Sequence, residues 1–214
     1  MKVAALVPAA TEIVLSLGLG DRLVAGSDAS VAAAALDVLI TDESVVGPSD
    51  LGSATRVILS PHSLEDVWSD VVRVGRALGL GMTAEAVANG FKSRVEKVAR
   101  RLPATRPTVF FAAATAPWMA DVIRAAGGRA ADAPNDADVV VSIGPDVFDT
   151  TSTASSERFA VRDYALFTRP GPRLVEAIET LAAILHPDVF PDLVARHAAR
   201  YDKITPTGAV SDIS

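Results

Sequence analysis

Short unbroken apolar runs alternate along this chain with longer runs in which apolar residues recur every three or four positions. The first kind predicts buried strands and the second amphipathic helices. Residues 2–7 form an apolar run stopped by Pro8, so they read as a buried strand. Residues 9–17 follow as a helix, stopped by Gly18 and Gly20. Residues 23–27 and 36–41 read as the second and third strands, with a small helical fragment at 32–35 between them. Residues 42–54 carry Gly, Pro, Ser and Asp and are expected to be loop. A fourth strand at 56–60 is closed by Pro61. Ser63 then opens a helix, with Asp66 three residues on, close to a capping box. Leu64, Val67, Val71, Val74 and Leu78 form its apolar stripe, and Trp68 beside them reads as packing.

The longest helical pattern covers residues 83–102. Val87, Phe91, Val95, Val98 and Leu102 fall on one face, Thr83 stands as N-cap, and Pro103 is the stop. Glu85 near its start and Arg94, Lys97, Arg100 and Arg101 near its end match the helix dipole. Such a helix spans about 30 Å at ~1.5 Å per residue. After Pro107 the alternation restarts: a strand at 108–113, a helix at 118–126 ended by Gly127 and Gly128, and a strand at 138–143. Residues 146–156 read as exposed loop, and 158–167 as one further strand. Residues 172–185 make the clearest helix here, with Leu174, Ala177, Ile178, Leu181 and Leu185 in register. Residues 188–201 look helical, and 204–214 like a frayed tail. The pattern gives an α/β chain in three parts: an N-terminal lobe (1–82), a bridging helix (83–106) and a C-terminal lobe (107–214). The plainer alternative is one sheet in which 83–102 is an ordinary crossover helix.

Half of the residues are hydrophobic but only 5% are aromatic, so the core is aliphatic. A formal charge of -6 argues against a nucleic-acid or anionic-membrane surface. Without cysteine there are no disulfides, thiolate metal sites or cysteine nucleophiles. No apolar run approaches the ~20 residues of a membrane span. The start of the chain shows no signal-peptide pattern, so the expected location is cytoplasmic, or periplasmic or extracellular if a leader has been trimmed. There is no G-x-S-x-G elbow, no G-x-G-x-x-G and no Walker sequence. His62 stands between a strand and a helix, where ligand or catalytic groups often sit, while the plainer reading has it bonding to local backbone. His186 stands at a helix end and His197 on a surface helix. Neither has a carboxylate or second histidine at ligand spacing, so no metal site is expected. Residues 132–138 are read as a solvated acidic loop.

Several stretches together resemble the class III substrate-binding proteins, the helical-backbone receptors, and particularly their vitamin B12-binding group. They are VPAATEIVLSLGLGDRLVAGSD, ILSPHSLEDVWSDVVRVGRALG, PWMADVIRAAGG and LFTRPGPRLVEAIETLAAILHP, in that order. The resemblance implies two Rossmann-like α/β lobes joined by one backbone helix, with the ligand in the cleft between lobes. It carries Pro8, Ala9 and Ala10, the Pro61-His62 turn, and Pro117, Trp118, Phe167, Arg169 and Arg173 to that cleft. Trp118 and Phe167 would lie against a macrocycle, and the arginines would meet amides, carboxylates or phosphate. The plainer readings are interlobe packing for Trp118 and surface ion pairing for the arginines.

The chain also departs from the family. After the second strand it has SDASVAAAALDVL where the family has an aromatic-bearing stretch. The segments that dock on the importer are shortened in both lobes. A shortened member is therefore expected that binds cobalamin or another corrinoid, or a related tetrapyrrole, without a required cofactor, catalysis or importer docking. Its partner would be the small molecule, with a homodimer possible. The alternative is a protein-interaction or dimerisation module. An enzyme using His62 as acid or base ranks third.

Overall fold

The computed structural model describes residues 1–24, 35–45, 52–112, 116–143, 156–204 and 210–211. The α/β class expected from the pattern is what is found, in two compact units. The first comprises Met1–Ser93 with Arg169–Arg173, the second Arg94–Thr168 with Leu174–Ser214. Two differences from the expected partition follow. The long helix is not a separate part, because the division falls within it, and residues 169–173 belong with the first unit.

In the first unit β1 (Val3–Ala5), β2 (Val38–Asp42) and β3 (Thr55–Leu59) form a parallel sheet in the order β1-β2-β3. Val38, Leu39, Ile40 and Thr41 are all buried, as a central parallel strand requires. β3 alternates, with Val57 and Leu59 inward and Arg56 and Ile58 exposed. Of the strand expected at 23–27, Leu23 makes an isolated parallel bridge to Val3, and residues 25–27 lie outside the described residues. Most of the fragment expected at 32–35, and much of the loops expected at 42–54 and 146–156, lie there too, as do most of the stretch between Ser27 and Leu36, where one docking segment was expected to be missing, and most of that between Ile143 and Phe159, where another helix was expected to be shortened. The second docking segment was expected to be missing between Gly128 and Asp138, a stretch that holds a short strand, Arg129–Ala130, and a 3-10 turn.

Helix ends are set by glycine. α1 (Pro8–Ser16) starts with proline at its first position and stops at Gly18, whose φ is 75°. There Leu19 N–H bonds Val14 O and Gly18 N–H bonds Leu15 O, the Schellman arrangement. α2 (Leu64–Ala77) has the capping box anticipated at Ser63 and Asp66, and ends in the same motif at Gly79. The next helix, α3 (Gly81–Ala99), begins at once, so Thr83 lies inside its first turn rather than capping it. α2 and α3 meet where a Cβ on Gly75 would stand 2.1 Å from Ala84 Cβ, so only glycine fits. On α3, Ala84, Ala88 and Val98 are buried, while Val87, Phe91 and Val95 are half-buried; Phe91 packs on Trp68 at 5.6 Å.

The second unit is a sheet in the order β5-β4-β6-β7-β8-β9. β4 (Thr108–Ala112), β5 (Arg129–Ala130), β6 (Val139–Ile143) and β7 (Glu157–Val161) are parallel. β8 (Tyr201–Ile204) and β9 (Val210–Ser211) extend it antiparallel. The tail expected to fray thus opens on a strand, because Asp202 anchors β8 through Arg162 on the β7 side. The helix expected over 188–201 is confined to α7 (Pro191–His197) plus a 3-10 turn, and 158–167 holds β7 and a short helix, α5 (Tyr164–Thr168). α4 (Met119–Ala125) follows β4, and Pro134–Asp136 forms a 3-10 turn within the expected acidic loop. No helix among the described residues is long and apolar enough to cross a membrane.

α6 (Leu174–Leu185) is buried on every side except at Glu176, and Glu179 stands in its middle. Arg94 grips the Glu179 carboxylate with two nitrogens, at 3.0 and 2.7 Å, and His197 Nε2 lies 3.3 Å from the same group. Burial pushes the Glu179 pKa up, but the hydrogen bonds from His197 and Arg94 outweigh it and bring it down to about 2. A lowered carboxylate pKa contributes stability above its ordinary value of 4.5, lost as pH falls toward about 2. Glu179→Gln is expected to cost about 3 kcal/mol at pH 7, through Arg94 and His197 left facing a neutral amide. Denaturant unfolding of both proteins at pH 7 and pH 3 checks it: the difference should shrink at the lower pH.

Candidate functional site

The three strands described in the first unit run parallel, so their carboxyl ends share one edge, where ligands of open α/β sheets bind. Pro8 and the Pro61-His62 turn both stand on that edge, after β1 and β3. Those strands flank β2, so the turns are about 10 Å apart. Pro8 is exposed, whereas the methyl groups of Ala9 and Ala10 are buried, leaving backbone as their means of meeting a ligand. His62 is exposed, and its Nδ1 lies 3.0 Å from Ser60 O while its backbone N–H donates to Asp66 Oδ2. Asp66 also accepts from the Ser63 hydroxyl and N–H, and these bonds, the Ser63 hydroxyl first, hold its carboxyl below the ordinary carboxylate range. The local-backbone geometry anticipated for His62 is thus present, on the edge where a ligand group would also stand.

The turn of residues 169–173 belongs to this unit and lies against α1. Arg169 Nη1 is 3.6 Å from Glu12 Oε1. A Cβ on Gly171 would stand 2.7 Å from Glu12 Oε2 and 3.6 Å from Ala9 Cα. Arg173 is half-buried at its end. The fold therefore brings Ala9, Arg169 and Glu12 together. Glu12 was not among the residues expected. It stands four positions after Pro8 inside a helical stripe, where a carboxylate looks like ordinary solvated surface.

In the second unit, β4 and β7 are parallel neighbours of β6, and the segments after them share the corresponding edge. Pro117 is exposed there, and Trp118 caps α4 through its backbone carbonyl, which accepts from the Asp121 and Val122 N–H groups. The Trp118 ring is half-buried, and its Nε1 is shut away from solvent with no hydrogen-bond partner among the described residues. Phe167 is corrected: it is fully buried and packs on Phe111 with ring centroids 5.1 Å apart, so it has no free face to offer a ligand.

His197 is also corrected. It is buried and faces Glu179, a carboxylate eighteen residues away in sequence. His186 is buried with Nε2 3.3 Å from Gly127 O, and burial depresses its pKa. Among the described residues no group of three or more His, Cys, Asp or Glu could hold a metal ion.

Asp70 on α2 is a buried carboxylate held by Arg73, whose guanidinium also donates to Ile58 O at 2.7 Å. Its Oδ2 is buried without a hydrogen bond among the described residues. Burial pushes its pKa up to about 6, against the pull of Arg73. The raised pKa means that the fold prefers the protonated form. Its stabilisation is present below the ordinary value of 3.8 and lost as pH rises through about 6. Asp70→Asn is expected to abolish a fall in unfolding free energy of about 1–3 kcal/mol between pH 4 and 6.5. Urea unfolding across that range, variant beside parent, measures it.

No protein-family model matches the sequence, and no curated protein matches it. Solved structures do match, and they define the fold as that of the periplasmic binding proteins. The periplasmic vitamin B12 binding protein BtuF of Vibrio cholerae aligns with a TM-score of 0.66 at 17% identity, over 86% of this chain and 96% of its own. The periplasmic heme-binding protein RhuT from Roseiflexus sp. RS-1, in apo form, gives 0.65 at 19%, over 90% and 98%. The periplasmic heme binding protein HutB of Vibrio cholerae gives 0.70 at 14%, over 87% and 99%. At these identities the likeness is one of fold.

Proposed function

We propose that this chain is a binding protein without a catalytic step, and that its ligand is a tetrapyrrole-type macrocycle, a corrinoid such as cobalamin first. The observation that carries the reading is Trp118. A half-buried indole whose N–H is desolvated and finds no acceptor among the described residues costs about 1–3 kcal/mol, a cost that a ligand acceptor would offset. Its ring supplies flat apolar area beside the donor, the combination that large planar ligands use. Pro117 beside it is exposed on the same edge. The B12- and heme-binding proteins of the same fold support the ligand class. Arg169 and Arg173 supply charge for amide, carboxylate or phosphate groups at the ligand rim.

A second reading, a protein-interaction or dimerisation module, is favoured by β3, which among the described residues pairs with β2 alone and exposes Ile58.

Equilibrium titration with cyanocobalamin and cobinamide, followed by tryptophan quenching and corrin absorbance, tests the first reading. Saturable binding at about micromolar Kd or tighter is expected. Trp118→Ala and Arg173→Ala should each weaken it about tenfold or more, and Trp118→Phe, which keeps a ring but loses the N–H, about three- to tenfold. Absence of binding by the folded protein, together with a dimer in sedimentation, would transfer the assignment to the second reading.

A further inference from the structure

The chain has three histidines, and the fold treats them differently. His186 and His197 are buried, and each turns Nε2 to an oxygen, Gly127 O in one case and the Glu179 carboxylate in the other. His62 is exposed on the carboxyl edge of the first unit's sheet, just after β3, and turns Nδ1 to Ser60 O at 3.0 Å. A backbone carbonyl can only accept, so Nδ1 carries the proton of that bond. In the neutral ring the lone pair therefore lies on Nε2, which is engaged by nothing among the described residues. The turn is fixed as well: Asp66 Oδ2 accepts from the His62 N–H at 3.0 Å and from the Ser63 N–H and hydroxyl at 2.9 and 2.8 Å.

Resting on the ligand-binding reading above, we infer that His62 is an axial ligand: its Nε2 coordinates the metal at the centre of the bound macrocycle, cobalt in a corrinoid. An imidazole that binds a metal through one nitrogen characteristically donates its other N–H to a carbonyl or carboxylate. That bond fixes the tautomer and the ring plane and raises the basicity of the ligating nitrogen. Ser60 O does this for His62 before any ligand arrives, so less of the ring's freedom is left to lose on binding. The chain has no cysteine to compete for such a metal, and the other two histidines are held in the core. No group changes oxidation state in the step. The Nε2 lone pair forms the nitrogen–cobalt bond, the cobalt–oxygen bond to an axial water breaks, and the water leaves with both its protons. Nδ1 keeps its own proton on Ser60 O. The local bond at His62 and a ligand role are therefore not alternatives; the first supports the second.

The probe is cob(II)inamide, prepared without oxygen, whose axial position carries water because the nucleotide base of cobalamin is absent. Its unpaired electron lies along the axial direction, so a nitrogen ligand splits the lines of its electron paramagnetic resonance spectrum into triplets, and water does not. Untagged parent protein is expected to give the triplets, and protein whose histidines carry the heavier nitrogen isotope should give doublets. His62→Ala should abolish the splitting, while tryptophan quenching still shows saturable binding at about tenfold lower affinity. Circular dichroism checks that the variant is folded. Bound corrinoid without nitrogen splitting in the parent would overturn the inference and leave the ligand-binding reading standing. Splitting that persists in His62→Ala would overturn it too, since another nitrogen then supplies the bond. A parent that shows no saturable binding would instead overturn the ligand-binding reading, and this one with it.

Discussion

One buried carboxylate organises the second unit. α6 is apolar around almost its whole circumference, so it belongs in a core, and yet Glu179 stands at its centre. Taking that charge out of water is costly unless the groups facing it compensate. Arg94 does so with a two-pronged grip from α3, and His197 does so from α7. Each partner sits where a shift of one residue along its helix would carry it around to another face. The ion cluster therefore specifies the register of α3 and α7 against α6, which the aliphatic packing around it would define only loosely. Arg101 reinforces this at the end of the chain's longest helix, with its guanidinium over the Phe190 ring and bonded to Asp192.

Asp70 shows the same chemistry resolved the other way. It too is a carboxylate on the inner side of a helix, but its partner Arg73 is one half-exposed arginine that divides its donors between Asp70 and Ile58 O. One of its oxygens is left without a bond among the described residues. Burial then wins, and the pKa moves up where that of Glu179 moves down. What separates the two is the number of donors that reach the carboxylate, not its depth.

The sequence made local structure legible and long-range pairing illegible. The apolar stripes of α2 and α6 and the glycines that stop α1 were sufficient to place those helices, because each signal lies within a few residues. Gly79 announced a helix end correctly, but nothing local said that the next helix resumes at Gly81; that depends on Gly75 admitting Ala84. β8 was missed because Tyr-Asp-Lys-Ile has no strand pattern of its own and is drawn into the sheet by β7. His197 read as surface because its carboxylate partner lies on another helix. Phe167 read as a ligand contact because a motif supplies the position of a ring and not the direction in which it points. Phe111, far away in sequence, decides that direction.

The same distinction governs the candidate site. In each unit the turns after parallel strands fall on one edge whatever the details of packing, so the pattern of strands and turns marks that edge. The site's chemistry was not legible, because that resides in which polar atoms the fold leaves engaged. His62 is bonded into its own turn, Arg169 lies beside Glu12, and the Trp118 N–H is buried without an acceptor among the described residues.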